Sequence, residues 1–369
     1  MKLQRLNILN YKNIAEANLE FANGVNCLIG NNGMGKTNIL DAIYYLSFCR
    51  SYTAQTDQSV IRHDQPYMML QGTYDRRNVE EQVTVSLQRG HRKVVRRAGK
   101  EYQRLSQHIG LLPVVMISPM DWDLIRGAGE ERRRLMDQII SQGDKEYLEA
   151  LIRYGKAVEQ RNSMIRQEMR DPLLYETVEA VMQQTAALVH QRRADFVERF
   201  TPIFMNYYAA IAGDHEQVSL TYQSQLKGTN MHDLLAANRE RDMAIGYTTR
   251  GVHRDDIELL LGNWPMRRTG SQGQCKTYTL ALRLAQFDFL RQATPATPML
   301  LLDDIFDKLD AQRVEHIVEV VSSERFGQIV ITDTNRTHLD HIMQHMAGDH
   351  RMFIVENGNC TPLEKGGDR

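Results

Sequence analysis

The chain has 369 residues, of which 42% are hydrophobic and 25% charged, and its formal net charge is -1 at neutral pH. That length suits one large domain or two ordinary ones, and that composition excludes a disordered chain. A charge so near zero excludes a global field for nucleic acid, so any such contact needs a local basic surface.

Leu3 to Leu9 and Ala17 to Phe21 read as short strands, and Asn23-Gly24 predicts a hairpin turn before a third strand at Val25 to Ile29. A helix is expected from Lys36 to about Phe48. Strands follow near Met68–Tyr74, Glu81–Gln88 and Lys93–Arg97. From 130 to 243 glycine becomes rare and charge density rises. Ile140, Tyr147, Leu151, Tyr154, Val158, Ile165 and Met169 recur at helical spacing, and after Asp171-Pro172 a second stripe runs Leu174, Val178, Val181, Met182, Val189, Phe196 and Phe200. Two stripes around a proline predict an antiparallel helical hairpin, each helix about 30–40 residues and roughly 45–60 Å long. A helical subdomain packed on the rest of the chain is the plainer alternative.

From 244 onward α/β character returns. Cys275 to Gln292 is an apolar helix, Met299–Leu302 a buried parallel strand, and Ile329–Thr332 another strand. Phe353 to Val355 followed by Asn357-Gly358 predicts a last hairpin. Residues 1–129 and 244–369 are therefore expected to form one α/β domain, split by a helical insertion at 130–243. Cys27, Cys49, Cys275 and Cys360 contain no C-x-x-C pair, which argues against a zinc or disulfide framework and fits a reducing compartment. The opening MKLQRLNILNYKNI is interrupted by polar residues, and no run of about 18 apolar residues follows, so a cytoplasmic protein with no membrane partner is expected.

Gly30-Asn31-Asn32-Gly33-Met34-Gly35-Lys36-Thr37 fits G-x-x-x-x-G-K-[ST] between an apolar strand and a helix. Such a loop wraps phosphates in backbone amides, and the following helix adds its positive end. In an ATP site Lys36 is expected to neutralise the β- and γ-phosphates and Thr37 to give its hydroxyl to Mg²⁺. Met299 to Asp304 supplies a carboxylate pair at a strand end. Asp303 is expected to hold the metal and Asp304 to polarise the attacking water. Alone, such a pair often just caps a strand. Next to this loop it gains a partner cation.

Ser271-Gln272-Gly273-Gln274 stands just before the apolar helix at Cys275, a second anion-binding helix end. It makes most sense closing over the γ-phosphate held by a partner subunit, with Ser271 acting in trans. The simpler reading is a helix cap.

With Lys276, Thr277 and Leu280-Ala281-Leu282 after it, this segment resembles the signature of the RecF family of ABC-type, SMC-like ATPases. Gly251-Val252-His253-Arg254-Asp255-Asp256 looks like that family's G-x-H-R-D-D segment. Pro119 to Gly127, then Arg132-Arg133-Arg134 and Asp137, resemble another of its stretches, and GMGKTNILDAI its loop-helix junction. The fold class this implies is α/β, an ABC-type P-loop ATPase head with an inserted helical arm domain, a short antiparallel coiled coil. The resemblance also implies ATP and Mg²⁺ as cofactors, slow hydrolysis, and an ATP-dependent homodimer on DNA at gaps and single-strand/double-strand junctions. Roles in recombinational repair, replication and the SOS response follow, with RecR and RecO as partners. Asp310 fits the family's D-loop, whereas Asp307 and Lys308 depart from it. Gly129 replaces a usual proline, and Ile331-Thr332-Asp333-Thr334 has no switch histidine.

Arg89, Arg92, Lys93, Arg96, Arg97, Lys100 and Arg104, with Tyr102 among them, are the densest basic stretch and suit phosphate contacts. A solvated hairpin face explains the run equally well. A Rad50/SMC-like DNA tether is the alternative function, but its arms run to hundreds of residues.

Overall fold

Strands whose residues are buried on both faces belong at the centre of a parallel sheet, and among the described residues three short strands have that pattern. The computed structural model describes residues 1–76, 78–213, 216–306, 311–345 and 349–363. Chain order begins β1 (Lys2–Tyr11), β2 (Ile14–Glu20), β3 (Val25–Ile29), α1 (Lys36–Phe48), β4 (Tyr67–Arg76), β5 (Val79–Gln88), β6 (Val94–Arg97), β7 (Lys100–Glu101) and β8 (Val114–Ile117). It continues α2 (Asp123–Arg126), α3 (Gly129–Gly143), α4 (Lys145–Arg166), α5 (Pro172–Ala212), β9 (Val218–Gln223), α6 (Met231–Ile245), β10 (Asp256–Leu261), β11 (Trp264–Pro265) and α7 (Met266–Thr269). Last come α8 (Gln272–Ala293), β12 (Met299–Asp303), α9 (Ala311–Val321), β13 (Ile329–Asp333), α10 (Arg336–His345), β14 (His350–Glu356) and β15 (Asn359–Leu363).

By contact the chain divides into two units, Met1–Asp121 with Gln286–Arg369, and Trp122–Ala285. The second is wider than the insertion expected at 130–243, because β10, β11 and the start of α8 associate with the helices. The first unit holds two six-stranded sheets. One has the order β15-β14-β3-β13-β12-β8, parallel from β14 to β8, with β15 antiparallel at its edge. The other, β2-β1-β4-β5-β6-β7, is antiparallel. Helix α1 packs against strands of both.

That position follows from composition. Eleven of the 13 residues of α1 are buried, including Ile39, Leu40, Ile43, Tyr44 and Leu46, and a helix apolar all round has to be covered all round. Its carboxylate, Asp41, is buried yet satisfied. It accepts hydrogen bonds from Tyr11 (2.7 Å), Ser51 (2.7 Å) and the Tyr52 amide (2.6 Å), and pairs with Lys12. A charge with no exposure is tolerable only with partners of this kind. Gln328, also buried, joins the two sheets by accepting from Leu3 N (2.7 Å) and donating to Leu3 O and Ala22 O (both 2.8 Å).

Asn23-Gly24 does not make the expected hairpin. Strands β2 and β3 lie in different sheets, and the hairpin is β1–β2, turning at Lys12-Asn13. Glycine is needed at 24 for a close approach, since a Cβ there would stand 2.4 Å from the Asp349 carbonyl oxygen. Asn357-Gly358 does close the β14–β15 hairpin.

In the second unit the helical pair forms, but its first half breaks early. Asp144 accepts from Tyr147 N and starts α4 afresh, so α3 and α4 have 15 and 22 residues. Helix α5, begun by Asp171 and Pro172, runs for 41 residues, about 60 Å. Arg153 bonds Gln184 and Arg161 bonds Glu179, an antiparallel register. Arg161 is fully buried and also holds Asp242 (2.7 Å) and Thr248 (3.0 Å). A three-stranded sheet, β11-β10-β9, completes the unit.

Removing a buried cation strands its carboxylates. Arg161→Met is therefore expected to lower stability by about 3–5 kcal/mol in urea unfolding. A loss under about 1 kcal/mol, the worth of a surface pair, would show that the pair contributes little.

Candidate functional site

Between Ile29 and Lys36 the chain must leave a buried strand and enter a buried helix within six residues. Gly33 (φ 80°) and Gly35 (φ 111°) adopt the left-handed backbone this needs. Two turns brace the loop. Gly358 N donates to Met34 O (2.8 Å), and Asn13 Nδ2 lies 3.4 Å from Gly33 O while its Oδ1 accepts from Asn38 (2.7 Å). The amides of Gly33, Gly35, Lys36 and Thr37 have no acceptor among the described residues. Clustered free amides at a helix start form an anion-binding concavity.

Lys36 folds back over the loop, its Nζ donating to Gly30 O (2.6 Å) and Asn31 O (3.0 Å). Burial pushes its pKa down, opposed by the charges of Asp304, Asp303 and Asp333. Parallel pairing sets Asp303 beside Thr332, and Asp333 beside Ile29, so the three carboxylates collect where β12, β13 and β3 end. Ligands of open α/β sheets bind at this carboxyl edge. Thr37 Oγ1 donates to Asp303 (2.9 and 3.0 Å), as does Thr332 Oγ1 (2.8 Å). Burial raises the pKa of Asp303, while those two hydroxyls lower it. Asp304 takes φ 47°, and its amide donates to the Thr332 carbonyl (3.3 Å) and hydroxyl (3.1 Å). The expected Lys36, Thr37, Asp303 and Asp304 thus share one edge. Asn13, which supports them, carries no sequence signal of its own, while Thr332 lies in the 331–334 segment noted above only for lacking a switch histidine. An open groove of about 910 Å³ is lined by Lys12, Asn13, Gln58, Arg62, His63 and Arg89 among others.

Ser271 to Gln274 belong to the second unit. Ser271 Oγ accepts from Gln274 N (3.2 Å), and Gln274 Oε1 accepts from Ser271 N (2.8 Å), a reciprocal capping box. Gln274 Nε2 also donates to Glu216 (2.8 Å). The simpler reading therefore holds within one chain, but Ser271 and Gln272 remain exposed. An oxygen that accepts in the cap keeps its own proton to donate. Asp310 lies outside the described residues, as do Asp307 and Lys308.

The G-x-H-R-D-D segment faces mostly inward. Asp255 accepts from Arg193 (2.9 Å) and Tyr222 (2.5 Å), and Asp256 pairs with Arg132 (2.7 and 2.8 Å). Arg193 also bonds Val252 O and Asp137, while His253 Nδ1 meets the Tyr154 hydroxyl at 2.8 Å. Burial takes the His253 pKa down to about 4, keeping the ring neutral.

The basic run is largely spent inside the first unit. Arg97 pairs with Glu81, Lys93 with Asp57, and Arg96 with Glu101, while Arg89 caps the carbonyls of Gln65 and Arg62. Arg92, Lys100 and Arg104 stay exposed.

The family model described as the RecF/RecN/SMC N terminal domain matches residues 2–359. A protein named DNA replication and repair protein RecF, from Parabacteroides distasonis, is 52% identical over 99% of this chain and 100% of its own length. The RecF of Porphyromonas gingivalis (strain ATCC 33277) is 47% identical over 97% and 99%. A solved structure of the recombination mediator protein RecF with ATP, in the RecFOR pathway, shares 26% identity over 98% of this chain and 97% of that one, with a TM-score of 0.88. An Smc head domain with an extended coiled coil, bound to the C-terminal domain of ScpA and derived from Pyrococcus furiosus, is similar in fold alone: 16% identity, 98% and 96% coverage, TM-score 0.58.

Because Ser271 caps α8, Ser271→Ala is expected to lower stability by about 1 kcal/mol, and Ser271→Asp to restore most of it. Thermal unfolding of the three proteins checks this, and equal midpoints would exclude the cap.

Proposed function

The chain belongs to the RecF family of DNA replication and repair proteins, ABC-type ATPases of the RecF/RecN/SMC N-terminal domain group, and from that premise we propose that ATP bound at Gly30–Thr37 draws two copies together on DNA. The observation that carries the reading is the loop itself, whose amides at Gly33, Gly35, Lys36 and Thr37 face no acceptor among the described residues, while Thr37 bonds Asp303 and the charge of Asp303 reaches Lys36. ATP fits this donor set. Asn31, Asn32 and Met34 shape the loop, its amides hold phosphate oxygens, and Lys36 exchanges the carbonyls of Gly30 and Asn31 for the β- and γ-phosphates.

The residues also fit Mg²⁺, since Thr37 and Asp303 offer a hydroxyl and a carboxylate already aimed at each other. Thr37 and Asp303 would hold the ion, which would supply charge neutralisation to the phosphates. Asp304 accepts the proton of the water that attacks the γ-phosphorus, and ADP leaves with the bridging oxygen. Ser271, Gln272, Gly273 and Gln274 of one copy close over the γ-phosphate bound by the other. Hydrolysis is slow and follows dimer formation.

Domain organisation follows the same reading, with an ATPase head from 1–129 and 244–369 and a helical arm insertion at 130–243. The dimer acts at gapped DNA and single-strand/double-strand junctions, in the cytoplasm, with RecR and RecO. It supports replication and the SOS response.

Asp304→Asn is expected to keep ATP and Mg²⁺ and to form the dimer, while hydrolysis falls by roughly 100-fold or more. Parental turnover in that variant would remove Asp304 as the base. Ser271→Arg and Lys36→Met should each lose ATP-driven dimerisation and the hydrolysis that depends on it. Mixed together they can build one intact composite site, so partial recovery of hydrolysis supports the trans arrangement. Weak ATP binding by isolated Ser271→Arg protein would instead place Ser271 in a site within one chain.

A further inference from the structure

The loop from Gly246 to Arg254 carries part of the G-x-H-R-D-D segment, and the nucleotide chemistry leaves it unused. Its inner side is pinned throughout. Thr248 donates through N (2.7 Å) and Oγ1 (2.8 Å) to Asn162, and Thr249 through N (2.9 Å) and Oγ1 (2.6 Å) to Asp242. Gly251 N donates to Gln225 (3.0 Å), and His253 Nε2 lies 3.1 Å from Thr248 O. Asp242 and Thr248 are themselves held by the buried Arg161. A loop bonded along its inner face holds its outer side chains in place, which lowers the ordering cost of binding.

Those outer side chains are alike in chemistry. Tyr247 is 42% exposed, and the guanidinium of the exposed Arg254 stands 5.3 Å from the centroid of its ring. Arg250 is partly exposed three residues away. Neither arginine pairs with a carboxylate among the described residues, in contrast to Arg96 and Arg97 of the basic run. Of the motif's polar side chains, His253, Asp255 and Asp256 bond inward, and only Arg254 turns to solvent.

The geometry points to a single-stranded nucleic-acid site at Tyr247, Arg250 and Arg254, where an unpaired base stacks on the Tyr247–Arg254 pair and the arginines meet the adjoining phosphates. This rests on the DNA-binding reading above and adds where the unpaired strand is held. The selectivity follows from the ring. A base in a duplex has both faces covered by its neighbours, so a duplex offers this surface phosphates alone, whereas a single strand offers a base as well.

The test is fluorescence anisotropy of a labelled oligothymidylate with the full chain, ATP and Mg²⁺, beside a blunt duplex of equal length. Tyr247→Ala should weaken single-strand binding by about tenfold and duplex binding by less than about twofold. Tyr247→Phe, which keeps the ring, should stay within about twofold of the parent. Arg254→Gln should lower the slope of log affinity against log salt by about 0.7. Unchanged single-strand affinity in both Tyr247→Ala and Arg254→Gln overturns the site and leaves the DNA-binding reading standing, as does equal loss on the two DNAs. A parent protein with no affinity for either DNA overturns both.

Discussion

Because α1 is buried around most of its circumference, it sits between the two sheets, and its first turn then meets the edge where β3, β12 and β13 end. The position of Lys36 and Thr37 follows from that burial. So does the bond from Thr37 to Asp303, which joins a residue at the head of the helix to one 266 positions later. Asp41 sets the depth of the helix, since its carboxylate has to reach Tyr11, Ser51 and Lys12 at once. A substitution at any of these would act on the phosphate loop without touching it.

The local signals in the sequence carried the parts of the fold that depend on nearest neighbours. Gly30 to Thr37 shows its loop because backbone turns at 33 and 35 demand glycine. Asp171-Pro172 starts α5 because a capping carboxylate and a proline at the first turn suit only a helix entrance. Asn23-Gly24 misled because the same pair serves tight turns and close approaches alike. What separates the two uses is the Asp349 carbonyl, more than 300 residues away. The basic run left two readings open for a related reason. Its partners Asp57 and Glu81 sit in other elements, and spacing along the chain does not reveal pairing across strands. The part Thr332 plays, bonding Asp303, shows only when β13 is laid beside β12.

The second unit works by a different economy of contacts. Here the buried groups are charged, and Arg161, Arg193 and Arg132 each draw residues from two or three segments into one arrangement. In such ion pairs the cost of desolvation offsets much of the attraction. They fix the register of α4 on α5 and the path of the chain from Gly246 to Asp256. The family motif at Gly251 to Asp256 is thus chiefly a joint between helices and sheet.

The order β14-β3-β13 has a consequence for synthesis. Strand β3 emerges among the first thirty residues, yet both of its neighbours come from the last fifty. On a ribosome adding about 5–20 residues per second, the phosphate loop would wait roughly 15–60 seconds for the strands that define it. A nascent chain in that interval exposes the apolar edge of β3, so chaperone dependence should rest on that strand rather than on the helices, whose contacts are nearer in sequence.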